Sequence, residues 1–172
     1  MINRSTKVLL ILLGAILPQS LFAQFINLQI TIEPELSVEV ERALDFGQVI
    51  SNSGIKEINI GDINTGIFSI RAIRSQSLYF ELTYPDALFM VDNRIDNIPL
   101  KLQTSYNNSG DINISNAQIL SNNSGIINVG GTTNNSGALW RKLYLYVYGS
   151  IDVGNIPNGV YSGTIVLYID YD

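Results

Sequence analysis

The sequence has 172 residues, of which 46% are hydrophobic and 15% are charged, and its formal net charge is −5. This length and composition are sufficient for one globular domain with its own hydrophobic core, and they exclude a disordered chain. The acidic balance, without a cluster of basic residues, argues against binding to nucleic acid or to an anionic membrane surface.

The sequence contains no Cys and no His. This excludes stabilising disulfides, serine–histidine and cysteine–histidine nucleophile pairs, and the usual zinc and copper sites. Carboxylate chemistry and calcium binding remain, but Asp92 and Asp96 lack the spacing of a calcium loop. We therefore predict that the protein is not an enzyme and binds no metal or cofactor. A carboxylate hydrolase is the least favoured hypothesis for its function.

Residues 1–23 have the features of a secretory signal peptide. Arg4 and Lys7 give a positive start, residues 8–17 form an apolar run, and Pro18 begins a polar break that leads to the small residue Ala23. The apolar run is too short, and wrongly flanked, for a membrane anchor. We therefore expect an exported protein with no membrane span once the leader is removed.

The next segment, residues 24–33, alternates apolar and polar side chains. Such a period of two is typical of a half-buried β-strand. Pro34 cannot donate a hydrogen bond to a β-ladder, so it is expected to separate this segment from a single domain over residues 34–172. The segment is then an N-terminal arm or a first strand, and its apolar side consists of Ile26, Leu28, Ile30 and Ile32.

Further alternating runs follow, with no helical periodicity after residue 24. They predict an all-β fold, most simply an antiparallel two-sheet β-sandwich. Val38 and Val40 are assigned to a first core strand, and residues 105–138 are predicted to be loop because they are dense in Asn, Ser and Gly. The sequence Asn-Asn-Ser-Gly occurs there at 107–110, 122–125 and 134–137, which we interpret as hairpin turns.

An aromatic row lies in the strand predicted at residues 139–150, on the side opposite Leu143, Leu145 and Val147. Two interpretations are open. An exposed row would be a strip for stacking on a glycan or on a protein partner, and a covered row would be a second buried face beneath the Asn-rich loops. We favour the covered row, whose members are Trp140, Tyr144, Tyr146 and Tyr148.

The last stretch, residues 159–172, is the strand around which the other predicted elements are arranged. Its odd positions are almost all apolar or Gly, so one side should face a core. A strand of this kind needs a neighbour on each edge and a sheet across from its inner face. The residues predicted to lie on this inner side are Gly159, Tyr161, Ile165, Leu167, Ile169 and Tyr171.

Two motifs carry a family resemblance. The sequence Ala43-Leu-Asp-Phe-Gly47 resembles the opening of exported bacterial fimbrial subunits, and the stretch from Gly159 to Tyr171 resembles their closing strand, with its early glycine and penultimate aromatic. The chain therefore resembles a family of exported bacterial β-sandwich domains related to chaperone–usher pilins and to spore-coat-U-like proteins. The disulfide common in pilins is absent here.

The resemblance implies an immunoglobulin-like, pilin-like sandwich that lacks its last strand. In pilins, the groove beside the closing strand is filled by the N-terminal arm of the next subunit, a form of β-strand addition. By this resemblance, residues 24–33 are the donor arm and the strand at 159–171 is the acceptor. The implied partners are like subunits joined head to tail, with a periplasmic chaperone and usher, and the implied location is the periplasm in transit and then the cell surface or a fimbrium.

An alternative remains open, because alternation does not distinguish pairing within a chain from pairing between chains. If residues 24–33 pair with their own domain, the protein is a self-complete secreted binding module or adhesin. It would then recognise a host receptor or a glycan through its loops or through the aromatic row.

Overall fold

A computed structural model of the chain describes residues 36–130 and 139–172. Within these ranges every regular element is a β-strand apart from one short 3₁₀ turn, Ile114–Asn116. All of the pairings between strands are antiparallel. The strands are β1 (Ser37–Arg42), β2 (Gly54–Ile58), β3 (Gly66–Ile73), β4 (Ser77–Thr83), β5 (Ala87–Met90), β6 (Asn97–Asn107), β7 (Gln118–Leu120), β8 (Ser124–Asn128), β9 (Trp140–Val153), β10 (Tyr161–Ser162) and β11 (Val166–Tyr171).

The strands of the described residues form two sheets. Eight of them make a large, curled sheet in the order β1-β3-β9-β6-β5-β10, with β2 beside β9 and β7 beside β6. The other three make a small sheet in the order β11-β4-β8. The predicted all-β class and antiparallel sheets are therefore confirmed, and the architecture is that of a β-sandwich.

The main core lies between the two sheets. It is built from alternate residues of β3, β4, β8 and β9 that point inward, because successive side chains of a strand face opposite sides, and from Val129 just after β8. These residues are aliphatic apart from one phenylalanine, and the branched and aromatic ones among them pack closely on a pleated surface. The buried members are Ile70, Ala72, Leu78, Phe80, Leu82, Ile127, Val129, Leu143, Leu145 and Val147.

Two further apolar clusters extend this core. One lies at the end of the sandwich where β2, β6 and β9 meet, and contains Phe46, Ile58, Ile98, Leu100, Ile151 and Val153. The other lies on the outer face of the large sheet and contains Ile67, Tyr144, Tyr146 and Tyr148, with Ile60 and Ala117 packed against it.

The Asn-rich region contains more strand than its composition predicts. Residues 105–107 continue β6, and β7 and β8 lie entirely within the stretch that was predicted to be loop. Each of these two strands has a single apolar pair, Ile119-Leu120 or Ile126-Ile127, which is too short a pattern to indicate a strand. Their strand conformation is therefore decided by the pairing partners in β6 and β4.

The Asn-Asn-Ser-Gly copies do not share one role. At 107–110 the sequence ends β6, where the Asn107 side chain accepts a hydrogen bond from the Ser109 backbone nitrogen at 2.8 Å. At 122–125 it joins β7 in the large sheet to β8 in the small sheet, so it is a crossover and not a hairpin turn. The copy at 134–137 lies outside the described residues.

The closing stretch is two strands rather than the single strand predicted. Tyr161–Ser162 pairs with β5 in the large sheet, and Val166–Tyr171 pairs with β4 in the small sheet. The chain changes sheets near Gly163, where a Cβ atom would lie 3.1 Å from side-chain atoms of Leu88 and Pro85. A glycine at such a close approach allows the bend, and a hydrophobic pattern does not reveal it.

Candidate functional site

An incomplete edge runs along β11. Leu167, Ile169 and Tyr171 pair directly with three residues of β4 that are at most 2% exposed. Directly paired residues share a face of the sheet, so these three side chains point inward and pack against the main core. They are nevertheless only half-buried. Within the described residues, β11 is the last strand of the small sheet, and no described strand pairs with its outer backbone edge.

A second edge belongs to β1, which ends the strand order of the large sheet within residues 36–130 and 139–172. Val38 pairs with Ile70 and Val40 pairs with Phe68, so both valines are on the core-facing side. Their exposed fractions are 37% and 64%. This corrects the assignment of the two valines to a core strand. Alternation identifies the inward side of a strand, but not whether anything covers that side.

We call the apolar surface between the edges of β1 and β11 the edge groove. Leu36 and Phe68 from the large sheet, and Leu167 and Ile169 from β11, all pack against the same core cluster. One end of the groove is closed where the Tyr171 hydroxyl accepts a hydrogen bond from the Ile73 backbone nitrogen at 2.9 Å. The groove is therefore apolar inside and has a backbone edge on each side.

Leu44 and Ile165, which pack against the main core, also line a cleft of about 640 Å³, which we call the end cleft. Residues 44–49 form one wall and residues 156–165 form the other, with Ile98, Leu100 and Ile151 between them. This size is within the range of ligand-binding clefts. The floor is apolar and belongs to the second core cluster, so the end cleft suits an apolar side chain.

Polar contacts fix the walls of the end cleft. The Ser51 hydroxyl donates to the Ile156 carbonyl at 2.9 Å and accepts from the Ile156 nitrogen at 3.1 Å, which ties the two walls together. The Tyr161 hydroxyl donates to the Pro157 carbonyl at 3.0 Å. Burial of the phenol, and then the negative charge of Asp96, raise the pKa of Tyr161.

The predicted acceptor residues line this groove and cleft. Gly159, Tyr161 and Ile165 line the end cleft, and the inward side chains of β11 continue the same row along the edge groove. The predicted site residues do not include the opposite wall, which is formed by β1 and residues 44–49. The sequence did contain a signal for this wall, the motif Ala43-Leu-Asp-Phe-Gly47, because Leu44 to Gly47 line the end cleft. The predicted donor arm, Ile26, Leu28, Ile30 and Ile32, lies outside the described residues.

The tyrosine row is covered. Tyr144, Tyr146 and Tyr148 are 9%, 1% and 7% exposed, with Ile60 and Ala117 packed against them. The Tyr148 hydroxyl lies 2.9 Å from the Ser105 hydroxyl in a buried hydrogen bond. The row therefore forms a second buried face and not an exposed strip, which is the favoured one of the two interpretations.

Trp140 lies at the end of the tyrosine row and is half-buried. The guanidinium carbon of Arg71 lies 4.6 Å from the centre of its ring, a cation–π contact. The indole face is thereby occupied by a neighbouring side chain.

Other kinds of site find little support within residues 36–130 and 139–172. These residues contain no group of three or more Asp or Glu side chains arranged to hold a metal ion. They also include no helix with the length and apolar character needed to cross a membrane.

No protein-family model matches the chain, and no curated protein sequence matches it.

Proposed function

We propose that this protein is a non-enzymatic, extracellular structural subunit of a fimbrial or pilus-like fibre, assembled by donor-strand β-augmentation. The observation that supports it is the edge groove, where the inward side chains of β1 and β11 are left partly exposed. In this proposal the fold is an immunoglobulin-like, pilin-like sandwich, and the groove is the place of its missing strand.

An added strand would complete the sandwich in two ways. Its backbone would hydrogen-bond with the open edge of β11, and its inward side chains would cover Leu167, Ile169 and Val40. Burial of one aliphatic side chain contributes about 1.5–3 kcal/mol, so four contribute roughly 6–12 kcal/mol before the cost of ordering the strand. The segment proposed for this role supplies four such side chains at a period of two: Ile26, Leu28, Ile30 and Ile32.

The proposed donor is the arm of a neighbouring copy. Addition of one copy's arm to the next copy's groove is a head-to-tail contact that does not close on itself, so it gives a filament. The leader directs export in this proposal, a periplasmic chaperone and usher handle the subunit in transit, and the fibre stands at the cell surface. The alternative is that the arm fills its own groove, which gives a self-complete secreted binding module or adhesin.

The first test compares residues 24–172 with residues 34–172. We expect the longer chain to polymerise and the shorter one to be less stable and monomeric, because it has a groove but no arm. A synthetic peptide of residues 24–33 should bind the shorter chain and raise its melting temperature. A peptide of the same length with Asp at the four apolar positions is the control. A longer chain that stays monomeric at every concentration would contradict the fibre.

The second test uses two matched substitutions in the longer chain. Val40→Glu places a charge inside the edge groove, and Ile55→Glu places one on β2 at a similarly exposed isoleucine, 74% against 64%. Substitutions at such exposed positions usually change stability by less than about 0.5 kcal/mol. We expect Val40→Glu to abolish polymerisation and Ile55→Glu to leave it intact. Equal polymerisation of both variants would remove the groove from the assembly mechanism.

A further inference from the structure

The rim of the end cleft contains an asparagine followed by a glycine, a pair in which the backbone can react with the asparagine side chain. Asn158-Gly159 is the single Asn-Gly pair in the chain. It lies between β9 and β10, both residues line the end cleft, and both are exposed. Glycine has no side chain to shield its backbone nitrogen from a neighbouring side chain. This is the arrangement in which an asparagine side chain is most open to attack by the backbone.

Hydrogen bonds fix the residues on both sides of this dipeptide, but they do not fix the two reacting groups of the dipeptide itself. Ile156 is fixed by the Ser51 hydroxyl, and the Val160 carbonyl accepts from the Val91 nitrogen at 2.9 Å. Between these anchors, neither the Asn158 side-chain amide nor the Gly159 backbone nitrogen has a hydrogen-bond partner among residues 36–130 and 139–172. The nucleophile and the reacting carbonyl are therefore both available.

We propose that Asn158 is a site of spontaneous deamidation and isomerisation in the folded protein. The Gly159 nitrogen attacks the side-chain carbonyl carbon of Asn158, and a nitrogen–carbon bond forms as the bond to the side-chain nitrogen breaks. Ammonia leaves with the proton from the Gly159 nitrogen, and a five-membered succinimide ring remains. Water then opens the ring at one carbonyl to give aspartate, or at the other to give isoaspartate. The sequence of steps consumes one water, releases one ammonia and involves no oxidant or reductant.

Other asparagines are more restrained. The side-chain oxygen of Asn93 accepts from the Ile95 nitrogen at 3.0 Å, and that of Asn113 accepts from the Ser115 nitrogen at 2.8 Å. Asn155 is the useful comparison, because it is exposed and lies in the same connection as Asn158. It is followed by Ile156, whose branched side chain shields the backbone nitrogen and whose N–H is bound to Ser51.

The products would alter one wall of the end cleft. Aspartate adds a negative charge at the rim, and isoaspartate lengthens the main chain by one carbon just before Tyr161. The hydrogen bond from the Tyr161 hydroxyl to the Pro157 carbonyl spans the altered bond, and the pairing of Tyr161 with Met90 begins just after it. If the proposed function holds, an aged subunit accepts a donor strand less well. That consequence rests on the proposed function, whereas the modification itself does not.

The test follows the intact folded protein in mildly alkaline buffer by mass spectrometry. Cleavage after Lys142 releases residues 143–172, which contain no other Lys or Arg and only two asparagines, Asn155 and Asn158. We expect this fragment to gain the mass difference between an amide and an acid, with the change at Asn158 and not at Asn155. Enzymatic methylation that is specific for isoaspartate should label the same fragment.

Gly159→Ala is the matched variant. A Cβ atom there would meet the terminal methyl of Met90, which is the movable end of a flexible side chain, so the fold should be kept. We expect the mass gain to be lost over the same incubation, with an unchanged melting temperature at the start. An intact protein that gains no mass, while a peptide of residues 155–162 does, would overturn the proposal, because the fold would then protect the site. Equal modification of Asn155 would overturn it as well.

Discussion

The phenol oxygen of Tyr171 lies 2.9 Å from the backbone nitrogen of Ile73 and accepts its hydrogen. Tyr171 ends β11 in the small sheet, and Ile73 ends β3 in the large sheet, so this hydrogen bond joins the two sheets at the closed end of the edge groove. It also satisfies a backbone donor beside the point where the described part of β1 begins. One side chain thus closes the groove and ties its two walls together.

Tyr171→Phe should destabilise the protein, because it removes this acceptor and keeps the ring. A partly buried backbone N–H that loses its partner costs about 1–3 kcal/mol. The free energy of unfolding from urea titrations of wild type and variant measures the loss. Tyr168→Phe is the control, since the Tyr168 hydroxyl binds Asp170 on the exposed face of the same strand and its removal should cost less than about 0.5 kcal/mol. Equal losses in the two variants would show that the contact with Ile73 does not join the sheets.

The ion pair between Glu41 and Lys142 should make stability depend on pH. The side-chain nitrogen of Lys142 lies 3.0 Å from Glu41 Oε1. A hydrogen bond from Ser69, and then the bond to Lys142, lower the pKa of Glu41, and the bond to Glu41 raises the pKa of Lys142. The contribution of Glu41 to the free energy of unfolding is therefore present above the ordinary pKa of glutamate, and it is lost as the pH falls through the lowered pKa. The Lys142 contribution is present below the ordinary pKa of lysine and is lost as the pH rises through its raised value.

Lys142→Met should consequently lower the melting temperature slightly at neutral pH. The difference from wild type should shrink in acid, where Glu41 is protonated, and in high salt, which screens exposed charges. Lys101→Met is the control, because Lys101 is exposed and has no ion pair among the described residues. A Lys142→Met deficit that stays constant from neutral to acid pH would show that packing, not charge, is responsible.

Ser105→Ala should destabilise the covered tyrosine row. The Ser105 and Tyr148 hydroxyls are 2.9 Å apart and buried, so the substitution leaves the Tyr148 hydroxyl without its partner. The expected cost is about 1–3 kcal/mol, and it should fall when Tyr148→Phe is added, since both polar groups are then gone. Tyr146→Phe is the comparison. Burial raises the pKa of Tyr146, and the nearby Asn107 side chain opposes part of this shift. Asn107 is too poorly placed for a well-formed hydrogen bond, and the Tyr146 hydroxyl has no such bond within the described residues, so its loss should be close to neutral. A costly Tyr146→Phe with a neutral Ser105→Ala would contradict this picture of the row.

The sequence was informative about which side of a strand faces inward. The period of two placed Leu143, Leu145 and Val147 in the core, and it placed Leu167 and Ile169 on the inner side of β11. This succeeds because burial on one face selects apolar residues at alternate positions whatever the neighbours are.

The sequence did not predict in the same way whether the inner side of a strand is covered, or which strands pair with each other. Val38 and Val40 have the same pattern as core residues, yet they are exposed because the described residues place no strand beside them. The change of sheet near Gly163 and the strands β7 and β8 also escaped prediction. Each depends on partners distant in sequence, and a local pattern contains no information about them.

Gly149→Ala tests whether the centre of the large sheet depends on a glycine. Gly149 lies in β9 with φ of 148°, opposite both Ile58 of β2 and Leu102 of β6. A Cβ atom there would collide with the Lys101 carbonyl oxygen and lie 3.0 Å from the Leu102 Cα, and backbone atoms of a central strand have little room to move. We expect a loss of about 2–4 kcal/mol in the free energy of unfolding, measured by urea titration. Gly154→Ala is the control, because a Cβ atom at that position meets no atom within 4 Å and should change stability little. Similar stability of the two variants would mean that β6 approaches β9 less closely at Gly149 than the geometry requires.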